Sequence, residues 1–376
     1  MTKQLYYLHI KYKILYNNMM SLPDRKYYNV AMANNERKNG YSYATYKDLF
    51  TQKIIENPSL YYLSIMRFQI PTADIPILIP EIEQWPNTDP NKTVYNVTLE
   101  WNGFTSGTVP VTFFTMFPLE LPAVITFDNP DPMVQPSRYY WIFNYRHFLD
   151  MVNNAFATAF ANLQAASGGS VPGTAIAPYI TYNGDNELMT FHYSPDYLDT
   201  APIPIVAYMN YKLFTFFDGV ENNFFDNQSP KGIQLLVKNY FGQNINGPQF
   251  IMSQQYRSTP SWNVFKGIQI VSSFLSTEDE VIPIPSYQTQ GAFNTLSVVK
   301  DFVPFYDKGS DFRSFINYRF SGAYELIDLN GTTPINIIDL NVYWLDRYGN
   351  RYLLTIPYNQ ILTIKFAFIL KETFTG

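Results

Sequence analysis

From residue 316 to residue 370 apolar and polar positions alternate with a period of two over long stretches. In residues 339–346, Leu340, Val342 and Trp344 fall on one face, with Asn341 and Tyr343 on the other. In residues 362–370, Leu362, Ile364, Phe366, Phe368 and Leu370 share a face, opposite Thr363, Lys365 and Ala367. Side chains alternate across a pleated strand, so this pattern predicts strands that bury one face. Arg347-Tyr348-Gly349-Asn350 places Gly and Asn where a hairpin must reverse. The chain is therefore expected to end in a packed antiparallel sheet. Further strands are predicted at 267–274, 295–303, 315–320, 323–328 and 351–356.

Upstream, residues 61–70, 94–101 and 111–117 read as strands, with an Asn102-Gly103 turn after the second. Residues 71–90 are punctuated by Pro and suit an extended segment. Residues 46–56 suggest a short helix. The pattern changes after residue 117. Pro recurs, and then Ile142, Tyr145, Leu149, Val152, Phe156, Phe160 and Leu163 follow one another at three- and four-residue intervals, which predicts an amphipathic helix. Ser167-Gly168-Gly169-Ser170 ends it. Shorter strands are predicted at 176–182, 188–193 and 205–217, and residues 233–240 fit either a helix or a strand. Many short strands with turn signals between them argue a sandwich or barrel. The simplest arrangement is mainly β: one β-sandwich split in sequence, built from residues 46–117 and 261–376, with an inserted α+β domain over residues 118–260. Residues 1–45 lack sustained periodicity and read as an N-terminal arm.

Composition turns attention from catalysis to assembly. Aromatic residues are 18% of the chain and charged residues only 15%, against a usual ~25%. A surface poor in charge and rich in Tyr and Phe suits burial against neighbours, although β-rich folds also favour aromatics. Net charge is −5, which argues against nucleic-acid binding by the whole body. Residues 1–53 differ: Lys3, Lys11, Lys13, Arg25, Lys26, Arg37, Lys38, Lys47 and Lys53 outweigh Asp24, Glu36 and Asp48. Such a stretch suits phosphate, an acidic partner, or simply solvent. Cysteine is absent, which excludes disulfides, thiolate metal sites and a thiol nucleophile. Neither a signal peptide nor a transmembrane helix is expected.

Candidate chemistry is sparse. Of the histidines, His9 lies in the arm, His147 on the predicted helix and His192 in a predicted strand, with no metal-ligand spacing among them. Phosphate-loop and nucleophile-elbow motifs are missing. Glu278, Asp279 and Glu280 form the tightest acidic run and read as a solvated loop, with a cation site as the alternative. Asp328 and Asp339 each sit in an Ile-Asp-Leu triplet and are expected to face outward or to accept from backbone N–H groups. Asn91, Asn96, Asn227 and Asn330 head Asn-x-Ser/Thr triplets, which an Asn-rich chain produces by chance. No catalytic, cofactor-binding or metal-binding residue is expected, and no cofactor.

The order Leu326-Ile327-Asp328-Leu329, Thr333-Pro334, Ile338-Asp339-Leu340 and Trp344 to Gly349 resembles the C-terminal strands of penton (minor capsid) proteins of Sputnik-like virophages and polinton-like viruses. The resemblance is best over residues 265–370. It implies a single jelly roll upright in an icosahedral shell, a homopentamer at each vertex beside a neighbouring major capsid protein. It also allows an outward-facing insertion able to meet a host receptor. The arm, residues 1–45, has no counterpart in the resemblance; its basic charge suits contact with genome, membrane or inner capsid proteins. A glycan-binding jelly-roll module and a glycoside hydrolase with paired carboxylates stand as alternatives.

Overall fold

The computed structural model describes residues 25–34, 41–83, 89–116, 138–223, 231–238, 250–275, 277, 281–283, 295–304, 315–320 and 325–374. These fall into two compact units, divided at Asp74/Ile75 and at Phe265/Lys266. The first unit supplies β1 (Arg25–Ala33), β2 (Tyr41–Tyr43), β3 (Thr45–Leu49) and β4 (Tyr61–Pro71). The second contains β5 (Lys92–Trp101), β6 (Phe104–Thr105), β7 (Val109–Thr112), α1 (Tyr145–Ala166), β8 (Tyr179–Asn183), β9 (Leu188–Tyr193) and β10 (Val206–Met209). It continues with α2 (Tyr211–Phe214), β11 (Asn222–Asn223), β12 (Ile233–Leu235), β13 (Phe250–Ser253) and α3 (Thr259–Trp262). The chain then re-enters the first unit with β14 (Phe265–Ser272), β15 (Val281–Pro283), β16 (Thr295–Phe302), β17 (Phe315–Arg319) and β18 (Ile327–Asp328). It ends with β19 (Ile337–Asp346), β20 (Arg351–Leu353), β21 (Thr355–Pro357) and β22 (Ile361–Leu370).

The first unit is a jelly-roll sandwich. One sheet runs β1-β22-β4-β17, with β18 also on β4, and the other runs β15-β16-β14-β19-β20, with β3 on β19. The late part of the chain crosses between the two sheets after β16, after β18 and before β22, as the Greek-key connections of a jelly roll require. The inner faces meet through aromatic contacts, such as Phe68 of β4 edge-on to Phe302 of β16 at 5.2 Å.

Two sequence expectations change here. Residues 25–33 are not arm. They form β1, an edge strand in register with β22 from Arg25↔Ile369 to Ala33↔Ile361. Val30 and Met32 face the core and Asn29 and Ala31 face solvent, a period-two signal too short to stand out from sequence. The rest of the proposed arm, residues 1–24, lies outside the described residues. Residues 45–49 form a strand rather than a helix, because β19 offers an edge that they pair from Ile337↔Leu49 to Asn341↔Thr45.

The strict two-face reading of the late strands also needs correction. Tyr343, expected outward, is buried and packs with Val271, Val298 and Leu353 in a small second cluster. A bulge between Lys365 and Phe366 likewise shifts the register of β22 on β4, and Phe366, Ala367, Phe368 and Ile369 are all buried.

The second unit holds the strands around residues 94–101 and 111–117 that were expected in the sandwich. The boundary therefore falls at Asp74/Ile75 instead of residue 118, and at Phe265/Lys266 instead of residue 261. Alternation fixes which face of β5 is buried but not which sheet it joins. Its partners are β10, β6 and β7. Asn210 helps lock that pairing: its amide donates to the Val94 carbonyl at 2.8 Å and its Oδ1 accepts from Asn96 N–H at 3.2 Å. Asn210 also caps α2, so the strand expected over 205–217 stops at Met209.

Helix α1 follows its prediction closely. Asn144 caps it by accepting from His147 N–H, and Phe148, Val152, Phe156 and Leu163 are buried along one stripe. Gly168 and Gly169 take φ of 64° and 79°, and Gly169 N–H donates to the Gln164 carbonyl at 2.8 Å. Trp262, fully buried, lies edge-on to Phe148, Phe216 and Phe217 and donates its indole N–H to the Phe216 carbonyl at 2.7 Å.

Candidate assembly surfaces

Of the acidic residues singled out from sequence, Asp339 serves the sandwich internally. Asp339 is buried on β19, accepting from Ser272 Oγ at 2.5 Å, Ser273 N–H at 2.9 Å and Phe274 N–H at 3.1 Å. It thus ties down the end of β14. Asp328 lies half-exposed on β18 and pairs with Lys371 Nζ at 2.6 Å. Asp346, which sequence reasoning passed over, organises the β19–β20 hairpin. Its Oδ1 accepts from Tyr348 N–H and Asn350 N–H at 2.9 and 2.8 Å, and its Oδ2 from Asn350 Nδ2 and Tyr352 Oη at 2.8 and 3.1 Å. An Asp at the strand end, two residues before a Tyr-Gly-Asn turn, is the signal that was available.

The histidines hold structural posts. His147 is buried, and its Nε2–H donates to the Phe114 carbonyl at 2.7 Å. Burial pushes the imidazole pKa down, partly offset by that hydrogen bond and by Asp150. His192 stacks on Tyr179 at 4.4 Å with Nε2 2.9 Å from Thr181 Oγ1, and burial lowers its pKa too. His9 and the Glu278, Asp279 and Glu280 run lie outside the described residues. Among the described residues no group of three or more His, Asp or Glu is placed to hold a metal ion, and no helix is long and apolar enough to cross a membrane.

What the sandwich presents instead is contact surface. Leu49, Tyr43, Tyr348 and Ile361 are each more than half exposed, and Tyr27 and Tyr358 nearly so. Large aromatics on a charge-poor surface are the residue types enriched where protein partners meet. Lys365 Nζ lies 4.9 Å from the centre of the Tyr27 ring, and Lys47 Nζ 4.5 Å from that of Phe274. Strand β1 pairs only with β22 among the described residues, so its outer edge carries open backbone groups able to take another strand. Asn34, at its end, is fully buried and fastens the turn between β21 and β22: its amide donates to the Ile356 carbonyl at 2.8 Å and its own carbonyl accepts from Asn359 N–H at 3.0 Å. Beside β1 opens a depression of about 410 Å³ floored by Tyr28 and Phe50 and flanked by Lys26 and Lys53.

The model of the Sputnik minor capsid protein V18/19 family matches residues 26–370, through both units. The chain belongs to this family. Within it, structural protein V19 of Sputnik virophage is 35% identical over 203 residues, covering 51% of this chain and 93% of V19. Sputnik protein V18, itself uncharacterized, is 38% identical over 151 residues, covering 40% of this chain and 90% of V18. A chain of the Sputnik virion solved by cryo-electron microscopy superposes with a TM-score of 0.80 at 34% identity, covering 94% of this chain and all of the other. The mavirus penton protein superposes at 0.60 with 14% identity, covering 92% and 99%. That last likeness speaks to fold, whereas the Sputnik matches carry family. This V18/19-family chain is a minor capsid protein, a structural protein of the virion. The resemblance first seen in the Ile-Asp-Leu strands and the Trp344–Gly349 hairpin is thereby borne out.

Proposed function

We propose that five copies of the chain close into a ring and form the penton of an icosahedral shell, each copy also touching the surrounding major capsid protein. The observation that carries this reading is a family match spanning the sandwich and the second unit alike, joined to a sandwich surface of exposed tyrosines and an open β1 edge. A ring of identical subunits needs two different, complementary patches on each copy. A sandwich with distinct edges and ends supplies them. The second unit, Ile75–Phe265, is assigned to the outward side, where it meets the host, and no catalytic role is assigned to either unit. Trp101 stacked on Phe104 beside the β5–β6 turn, ring centres 6.4 Å apart, gives that unit an aromatic platform suited to a glycan.

Native mass spectrometry of the purified full chain, with electron microscopy of assembled particles, tests the reading. A mass of five protomers and density for the chain at the fivefold axes is the expected result. A monomer at high concentration that never enters particles refutes it. Binding to a glycan array that is lost in Trp101→Ala would support the host-facing assignment; an array without signal removes it.

A further inference from the structure

The solvent face of the β1-β22-β4-β17 sheet holds a row of like charges. Strand registers place Asn29, Lys365, Arg67 and Arg319 directly side by side on four adjacent strands. Arg67 and Arg319 are exposed and Lys365 half-buried. At ~4.8 Å between strands, the three cations span roughly 10 Å. Directly opposed like charges destabilise a sheet, and here two such pairs stand in succession. No carboxylate relieves them: among the described residues Arg67 and Arg319 make no ion pair, and Lys365 meets only the Tyr27 ring. The next row is Ala31, Thr363, Gln69 and Asn317, all exposed, with amides and a hydroxyl ready to donate. In a chain of net charge −5 such a face is an anomaly that folding does not explain.

We infer that this sheet face binds the phosphate backbone of nucleic acid. Two features favour phosphate over a protein partner. The two rows contain a single apolar side chain, Ala31, and so lack the apolar centre around which protein interfaces are built. Two of the three cations are arginines, whose planar forks match phosphate oxygens bidentately. Binding of this kind positions without reading sequence. The inference rests on the virion location of the family and is independent of the pentameric stoichiometry.

The test is fluorescence anisotropy of labelled short duplex DNA with the intact protein across a salt series. An Arg67→Gln/Arg319→Gln/Lys365→Gln variant and anionic phosphatidylserine vesicles are run alongside. Wild type is expected to bind DNA with strong salt dependence, and the triple variant to flatten the slope of log Kobs against log salt by about 2.7, with Arg67→Gln alone taking about 0.9. Because the substitutions remove repulsion, the melting temperature should hold or rise. DNA binding unchanged by the triple variant, or absent at low salt, overturns the inference. So does a triple variant that loses vesicle binding but keeps DNA, or that changes the native mass while DNA affinity stays the same. The last result would mark the face as a contact between copies, and the mass measurement on the same samples keeps that outcome separate from failure of the pentamer itself.

Discussion

Replacing Asp346 with Ala removes a buried carboxylate that accepts four hydrogen bonds inside a turn of only a few residues. A hydrogen bond to a charged group contributes about 1.5–3 kcal/mol net. The four do not add in full. Tyr348 is exposed, so its backbone N–H can turn to water once the carboxylate is gone. The Tyr352 hydroxyl is buried and loses its charged acceptor, while its ring remains stacked on Trp344 at 4.2 Å. A loss of about 3 kcal/mol follows, the equivalent of one or two of the four charged hydrogen bonds.

Asp346→Asn separates charge from geometry. Its remaining oxygen keeps the two backbone donors, the Asn350 amide can flip to meet the new NH2, and the Tyr352 hydroxyl can accept instead of donate. The cost should fall to about 1 kcal/mol. The assay is urea unfolding followed by tryptophan fluorescence, since fully buried Trp344 reports on this hairpin. The two compact units need not unfold together, so the transition that shifts must be the sandwich transition. An Asp346→Ala protein within ~0.5 kcal/mol of wild type, or an Asn variant as damaged as the Ala variant, refutes the reasoning.

Two further outcomes are expected. Gly232 takes φ of 98°, and a Cβ there would lie 2.2 Å from the Met209 backbone oxygen, so Gly232→Ala should cost the second unit at least ~2 kcal/mol by breaking the β10–β12 pairing, measured by chemical denaturation. His147 has a folded pKa below its ordinary 6.5, so the unfolded chain binds the proton first and stability of the second unit should fall as pH drops below that value until the folded pKa is passed; His147→Gln, which keeps a donor for the Phe114 carbonyl, should flatten that slope in melts across pH 7 to 5.

The elements that were legible in the sequence are those whose own pattern decides them. Helix α1 carries a capping Asn, a long apolar stripe and a Gly pair, and each constrains the backbone locally. Strands β19 and β22, ten residues each, carry alternating apolar positions at Leu340, Val342 and Trp344 and at Leu362, Ile364, Phe366 and Phe368. What was not legible depends on partners distant in the chain. Strand β5 reads equally well as a sandwich strand, and only Asn210, more than a hundred residues on, shows where it pairs. Strand β1 was hidden because its charged end, Arg25 and Lys26, looks like a solvated tail, while its pairing with β22 joins the two ends of the chain. The burial of Tyr343 required knowing that a second small cluster covers the outer side of its sheet.

The two Ile-Asp-Leu triplets show how far local sequence reaches. In both, the flanking Ile and Leu are buried and the Asp points the other way, as alternation demands. Yet Asp328 is half-exposed beside Lys371, whereas Asp339 is buried and holds the end of β14 through a hydroxyl and two backbone N–H groups. The difference lies in neither triplet. It comes from Ser272-Ser273-Phe274, whose donors face Asp339 and, among the described residues, have no counterpart at β18. Moving a single charge from surface to interior costs several kcal/mol unless such donors are waiting, so the Ser-Ser-Phe segment and Asp339 have to be chosen together. Asp339 and Asp346 are thereby both spent inside the sandwich, and among the described residues neither Arg67 nor Arg319 of the β1-β22-β4-β17 sheet makes an ion pair.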